Sequence, residues 1–258
     1  MMTRAMTITV SRRSVFGVSG RILTPVLIAG AGCLKPSGLA EPSVPARVSV
    51  FEQFLLDEPG DDWTLRTPAL WRIAREGDRR MLQMAIPPER PMTPGVRRPQ
   101  EYALYNKYEF RSFSLSFAVR VDRPVSVPRR DAVVIFGRQD PTHFYYAHLS
   151  GASDQWHNAF VRVDGDSRTS LVPPGRRPPP TMTDQAWHKV DVVRDVDAGT
   201  IKVYVDAFDE SAPPVFDLVD RTYEWGLIGL GSFDDHASFA RIKIEGQARP
   251  PAAKPRVD

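Results

Sequence analysis

The 258-residue sequence predicts an all-β fold, a two-sheet antiparallel β-sandwich of the jelly-roll kind. Three observations carry this. Large apolar residues fall at every second position of Phe113-Ser114-Leu115-Ser116-Phe117-Ala118-Val119-Arg120-Val121, the period of a half-buried strand. Helical periodicity is almost absent, while 24 prolines and 17 glycines break the chain into short segments. Between Trp187 and Ile244, strand-like segments follow one another with turns between them: residues 187–190, 201–206, 226–231 and 239–244, with an aspartate-rich corner at Asp234-Asp235 before the last.

In chain order, residues 1–40 read as an export signal. Ser11-Arg12-Arg13-Ser14-Val15-Phe16 fits a twin-arginine motif. The apolar segment that resumes at Ile22 and runs to Gly32 is too short to cross a bilayer, which needs about 20 apolar residues. Two exits are open. Gly38-Leu39-Ala40 presents small residues at the usual cleavage positions, and Gly30-Ala31-Gly32-Cys33 resembles a lipobox, with Cys33 as the lipidated residue. The chain is expected to be exported to the periplasm or the cell exterior, meeting a membrane only if lipidated at Cys33. Cys33 is the only cysteine, so no disulfide, cysteine metal site or cysteine nucleophile is expected in the folded part.

Residues 41–50 read as a linker, 51–248 as one sandwich domain and 249–258 as a disordered tail; single all-β domains of about 200–250 residues are common. Within the domain, strands are expected around residues 63–64, 71–73, 80–84 and 102–105, with a proline-rich loop over 87–99. Residues 132–136, apolar on both faces, suit a central strand. Residues 144–149 and 158–163 suit a hairpin with a long tip, and 190–193 and 201–205 a second hairpin across Asp195-Val196-Asp197-Ala198-Gly199. The total is roughly ten to twelve strands, the range of a sandwich or jelly roll.

The net charge is only +3, and the arginines cluster in proline-rich loops such as Arg176-Arg177-Pro178-Pro179-Pro180 rather than along a basic stripe, so no nucleic-acid partner is expected. Neither a phosphate-cradling glycine loop nor a Gly-x-Ser-x-Gly elbow is present.

The order of Tyr108-Glu109-Phe110-Arg111-Ser112-Phe113, Trp187-His188-Lys189-Val190, Ile201-Lys202-Val203-Tyr204-Val205-Asp206 and Gly229-Leu230-Gly231-Ser232-Phe233 resembles concanavalin A-like lectin/glucanase domains, including laminin-G-like modules and domains similar to 3-keto-disaccharide hydrolases and family 16 glycoside hydrolases. The resemblance runs from Tyr108 to Gly246. It implies two curved antiparallel sheets with carbohydrate often bound on the concave one. The sequence departs from family 16 in lacking a Glu-x-Asp-x-x-Glu strand, and retaining hydrolysis needs two carboxyl groups about 5–5.5 Å apart. A retaining glucanase is therefore disfavoured.

The densest functional signal is His143-Phe144-Tyr145-Tyr146-Ala147-His148-Leu149 followed by Asp154-Gln155-Trp156-His157-Asn158. Period two puts Phe144, Tyr146 and His148 on one face, with Tyr145 and Leu149 on the other. Aromatic faces with polar rims suit sugar rings. Arg138, Tyr146, Trp156, Asn158 and Asp235 are therefore the candidate ligand-binding residues, with His148, His157 and Asp154 as candidate acid/base groups. An aromatic in a strand more often packs in a core, and His188 beside Trp187 reads as structural. His and Asp are zinc-ligand types, but no spacing here makes a ligand set. Asp234-Asp235-His236 is either a polar turn or an oxygen site for calcium; no other cofactor is expected.

Three functions follow. The first is an exported domain that recognises a polysaccharide or oligosaccharide on its concave sheet. The second is an enzyme that cleaves or modifies a glycoside on the same face with His and Asp as acid and base. The third is a structural or adhesion module without a small-molecule site.

Overall fold

The computed structural model describes residues 45–85, 97–207 and 211–257. The export motif, Cys33 and most of the expected proline-rich loop lie outside these residues. Fourteen strands make up the described part, with one short 3-10 turn at Pro68–Leu70. Strand β1 (Ala46–Glu52) is followed by β2 (Trp63–Leu65), β3 (Trp71–Glu76), β4 (Arg79–Met84) and the long β5 (Glu101–Val121). Next come β6 (Asp131–Asp140), β7 (His143–Ser150), β8 (Ala159–Asp164) and β9 (Ser167–Ser170). The chain closes with β10 (His188–Asp195), β11 (Thr200–Val205), β12 (Phe216–Val219), β13 (Gly226–Ser232) and β14 (Ala237–Arg249).

β5 explains how two layers form one hydrogen-bonded sheet. Its first half pairs with β2 and β13, and its second half pairs with β10 and β14. The strand thus passes from a front layer, β2-β5-β13-β6-β7-β8-β9, into a back layer, β12-β11-β10-β5-β14, where β14 also carries β1 and β4. The strands expected at 102–105 and 113–121 are one element, because the apolar period continues through Phe110 at the crossing.

The main core lies between the layers. Back-layer residues Leu115, Phe117, Val190, Ile201, Phe216 and Phe239 meet front-layer residues Phe136, Tyr145, Phe160 and Ile228. Phe113 reaches Phe136 with ring centroids 5.6 Å apart, and Phe160 reaches Phe216 at 6.1 Å. The outer face of the front layer carries a second apolar cluster, with Leu104, Val133, Ile135, Phe144, Tyr146, Val161 and Phe233 buried in it. β6 and β7 are accordingly covered on both faces, as a strand apolar at successive positions requires.

Two expected boundaries change. Residues 46–50, read as linker, form most of β1, because Val48 and Val50 alternate into the core opposite Gly246 and Ile244 of β14. The tail, read as disordered, is held down: Tyr102 Oη donates to the Val257 carbonyl at 3.3 Å, Arg138 Nη2 donates to the Arg256 carbonyl, and Val257 packs on the second cluster. An apolar sheet face needs a cover, and Arg256 and Val257 supply part of it.

Candidate functional site

The tip of the β7–β8 hairpin builds a cleft of about 400 Å³, lined by Arg97, Arg129, His148, Asp154, Gln155, Trp156, His157, Arg168, Arg177 and Phe233. A trough of about 550 Å³ shares Trp156, Arg168 and Arg177 with it and runs along the proline-rich segment. Asp154 organises the tip. Its Oδ1 accepts the backbone N–H groups of Trp156 and His157 at 2.8 and 2.9 Å, and its Oδ2 lies 2.8 Å from His157 Nδ1. Burial pushes the other way, but these contacts hold the Asp154 carboxyl at about 2. It is an ionised acceptor at neutral pH, engaged by its own turn.

His148 forms the back wall. Its ring stands against Phe233 at 4.8 Å and His157 at 5.4 Å. Nδ1 is 2.6 Å from the Trp156 carbonyl oxygen and Nε2 is 3.2 Å from Asp131 Oδ2. The residue is buried, and its contact with the Trp156 carbonyl ties the tip to β7. His157 is the more available imidazole, oriented through Nδ1 by Asp154. Trp156 carries the Arg168 guanidinium 4.0 Å from its ring centroid, so it steadies an arginine as well as presenting an aromatic surface.

Four of the eight candidate residues, Asp154, Trp156, His148 and His157, therefore come together. The other four are buried, although Asn158 also borders the adjoining trough. Tyr146 packs between Phe144 and Phe233 beneath the cleft, and its burial pushes the phenol well up. Arg138 is enclosed between Tyr102 and the tail. Asn158 has left-handed backbone, φ 50°. It donates to the Pro179 carbonyl at 2.5 Å and accepts from Thr181 Oγ1 at 2.7 Å, clamping the proline-rich segment beside the tip. Asp235 accepts the Asp131 N–H at 2.7 Å and faces Arg123 at 2.9 Å.

Asp131, Asp234 and Asp235 bring ligand-type oxygens within 4.8 Å of one another. This is the calcium expectation with Asp131 added. Arg123 lies 2.9 Å from Asp235, Arg97 3.8 Å from Asp234 and the His148 ring 3.2 Å from Asp131, so the protein's own side chains already face all three carboxyl groups. The arginine lining was missed in the sequence because Arg97, Arg129, Arg168 and Arg177 come from four separate segments. Only the position of Arg97, Arg129 and Arg177 in proline-rich loops hinted at it, and Arg168 lies on β9.

His188, by contrast, is buried at the start of β10 between Asp206 (2.6 Å) and Asp184 (3.2 Å), a structural setting.

Neither a protein-family model nor a curated protein matches the sequence. Solved structures do. The chain is similar to the carbohydrate-binding module CBM66 from Bacillus subtilis, with 14% identity and a TM-score of 0.50 over 72% of this chain and 96% of that one. It is also similar to basic winged bean lectin, with 15% identity and a TM-score of 0.49 over 80% of this chain and 100% of the lectin. A GH43 protein from Bacillus licheniformis matches with 11% identity and a TM-score of 0.49, over 76% of this chain and 39% of that one. The chain thus shares the β-sandwich fold of that carbohydrate-binding module. At these identities the likeness is one of fold.

Proposed function

We propose that this chain is an exported carbohydrate-binding domain whose ligand lies in the cleft at the tip of the β7–β8 hairpin. One observation carries the choice of binding over hydrolysis: among the described residues, the cleft lining contains a single carboxylate, Asp154, and that carboxylate is spent on its own turn. A two-carboxylate glycosidase mechanism has no partner for it. Trp156, His157 and Gln155 supply an aromatic surface with polar edges, the composition that sugar rings favour. The fold it shares with a carbohydrate-binding module agrees with this reading. The sheet-face site expected from the sequence is less favoured, since that face is filled by an apolar cluster and covered in part by the tail.

The test is a glycan array with the folded domain, followed by titration of the best ligand against Trp156→Ala. The expected result is binding that falls by at least about tenfold, the scale of one buried contact. Absence of binding across neutral and acidic glycans, or an unaffected variant, removes the proposal. Export belongs to the same proposal and is checked separately. Arg12→Lys with Arg13→Lys should leave the protein in the cytoplasm, and the mass of the exported form separates acylation at Cys33 from cleavage after Ala40.

A further inference from the structure

The charge of the cleft is out of proportion to the molecule. Four guanidinium groups, from Arg97, Arg129, Arg168 and Arg177, line it against one carboxylate, an excess equal to the formal net charge of the whole chain, +3. Arg176 adds a fifth in the adjoining trough. The one carboxylate is held by His157 and two backbone N–H groups. Among the described residues, Arg129 and Arg177 are exposed and form no ion pair, and Arg168 donates to a neutral acceptor, the Arg97 carbonyl at 3.1 Å. Arg97 has an acid nearby, Asp234 at 3.8 Å. Elsewhere on the surface several arginines are matched, Arg75 and Arg80 on Asp57, Arg111 on Asp197, Arg120 on Glu76 and Asp122, Arg249 on Glu109, while Arg72 and Arg221 stand singly on neutral acceptors and are not gathered at one opening.

Like charges gathered at one opening repel one another, and the repulsion is relieved when an anion enters. The fold also steadies part of this lining. Trp156 supports Arg168 from below, and Asn158 and Ser153 tie the segment carrying Arg176 and Arg177 through the Pro178 and Pro179 carbonyls, with Ser153 Oγ 2.6 Å from the Pro178 oxygen. Guanidinium forks match carboxylate and sulfate geometry, whereas a neutral sugar needs no such charge.

We infer that the ligand is an acidic glycan, a sugar carrying carboxylate or sulfate groups, held by Arg129, Arg168 and Arg177 with Arg97 at the rim. This rests on the carbohydrate-binding reading of the same cleft. The experiment titrates the folded domain with an oligogalacturonate and a sulfated oligosaccharide, each beside its neutral counterpart (carboxyl-reduced or desulfated), and with polyglutamate as a polyanion that is not a sugar. The expected result is binding of one acidic sugar, at least about tenfold weaker for its neutral counterpart and for Arg177→Ala, Arg129→Ala or high salt, since exposed charges are screened beyond about 8 Å at physiological ionic strength. Whichever acidic sugar binds identifies the anionic group. Lys243→Ala, on the outer face of the back layer, should bind normally, and thermal melting confirms that each variant is folded. Equal affinity for the neutral counterpart overturns the inference and leaves the glycan reading standing. Equal affinity for polyglutamate, or no binding at all, overturns both.

Discussion

Asp235 shows how much one side chain of the site's frame depends on its surroundings. It is buried, and that burial, with Asp131 and Asp234 beside it, raises its carboxyl from 3.8 to about 7 despite the Asp131 N–H and Arg123. An acid held more tightly protonated in the fold than in the unfolded chain favours the fold below about pH 4. That contribution is lost as pH rises through about 7. The protein should therefore melt at a lower temperature at pH 8 than at pH 5.5. Asp235→Asn, which stays neutral, should flatten the slope, with a difference on the order of 2–4 kcal/mol at about 1.4 kcal/mol per pKa unit. A wild-type melting point independent of pH in this range contradicts the assignment. At the same scale, the sequence marked His148, His157, Asp154 and Trp156 as neighbours because they lie close along one hairpin. It had no means of telling that Arg138, Tyr146 and Asn158 turn inward, since an aromatic, an arginine and an asparagine at strand positions suit a ligand face or a covered one equally.

Element geometry is set by backbone contacts that side-chain patterns do not announce. Where β6 meets β13 the ladder shifts register, and Gly137 there takes φ 59°. A Cβ placed on Gly226 would lie 2.2 Å from the Gly137 carbonyl carbon and 2.3 Å from the Arg138 nitrogen, so backbone touches backbone. Gly226→Ala must push the two strands apart at the bulge. A loss of about 1–3 kcal/mol, as for an overpacked core, is expected from denaturant unfolding; an unchanged midpoint would mean the strands do not meet this closely. Period two read β7 correctly: Phe144 and Tyr146 lie in the outer cluster, Tyr145 and Leu149 in the main core. β1 escaped notice because its run of Ala46-Arg47-Val48-Ser49-Val50 follows directly on the proline- and serine-rich stretch, and only pairing with β14 makes it a strand.

For the whole molecule, the front layer has two covered faces, and the second depends in part on the segment that carries Arg256 and Val257. Truncation after Arg249 would remove the contacts of Arg256 and Val257 with Arg138 and Tyr102. It should lower the melting temperature and increase binding of an apolar dye, by an amount in keeping with about 1–3 kcal/mol for buried polar groups left unpaired. A truncated chain with unchanged melting would show that the tail is not a structural cover. By itself the sequence determined the fold class, the alternation of the long strands and the β7–β8 hairpin, because periodicity and turn residues act over a few positions. The tertiary structure alone decided which polar residues face water and which are buried. It also gathered arginines from four distant segments into one cleft. Those outcomes depend on which segments pack across the sheets, and spacing along the chain does not encode that.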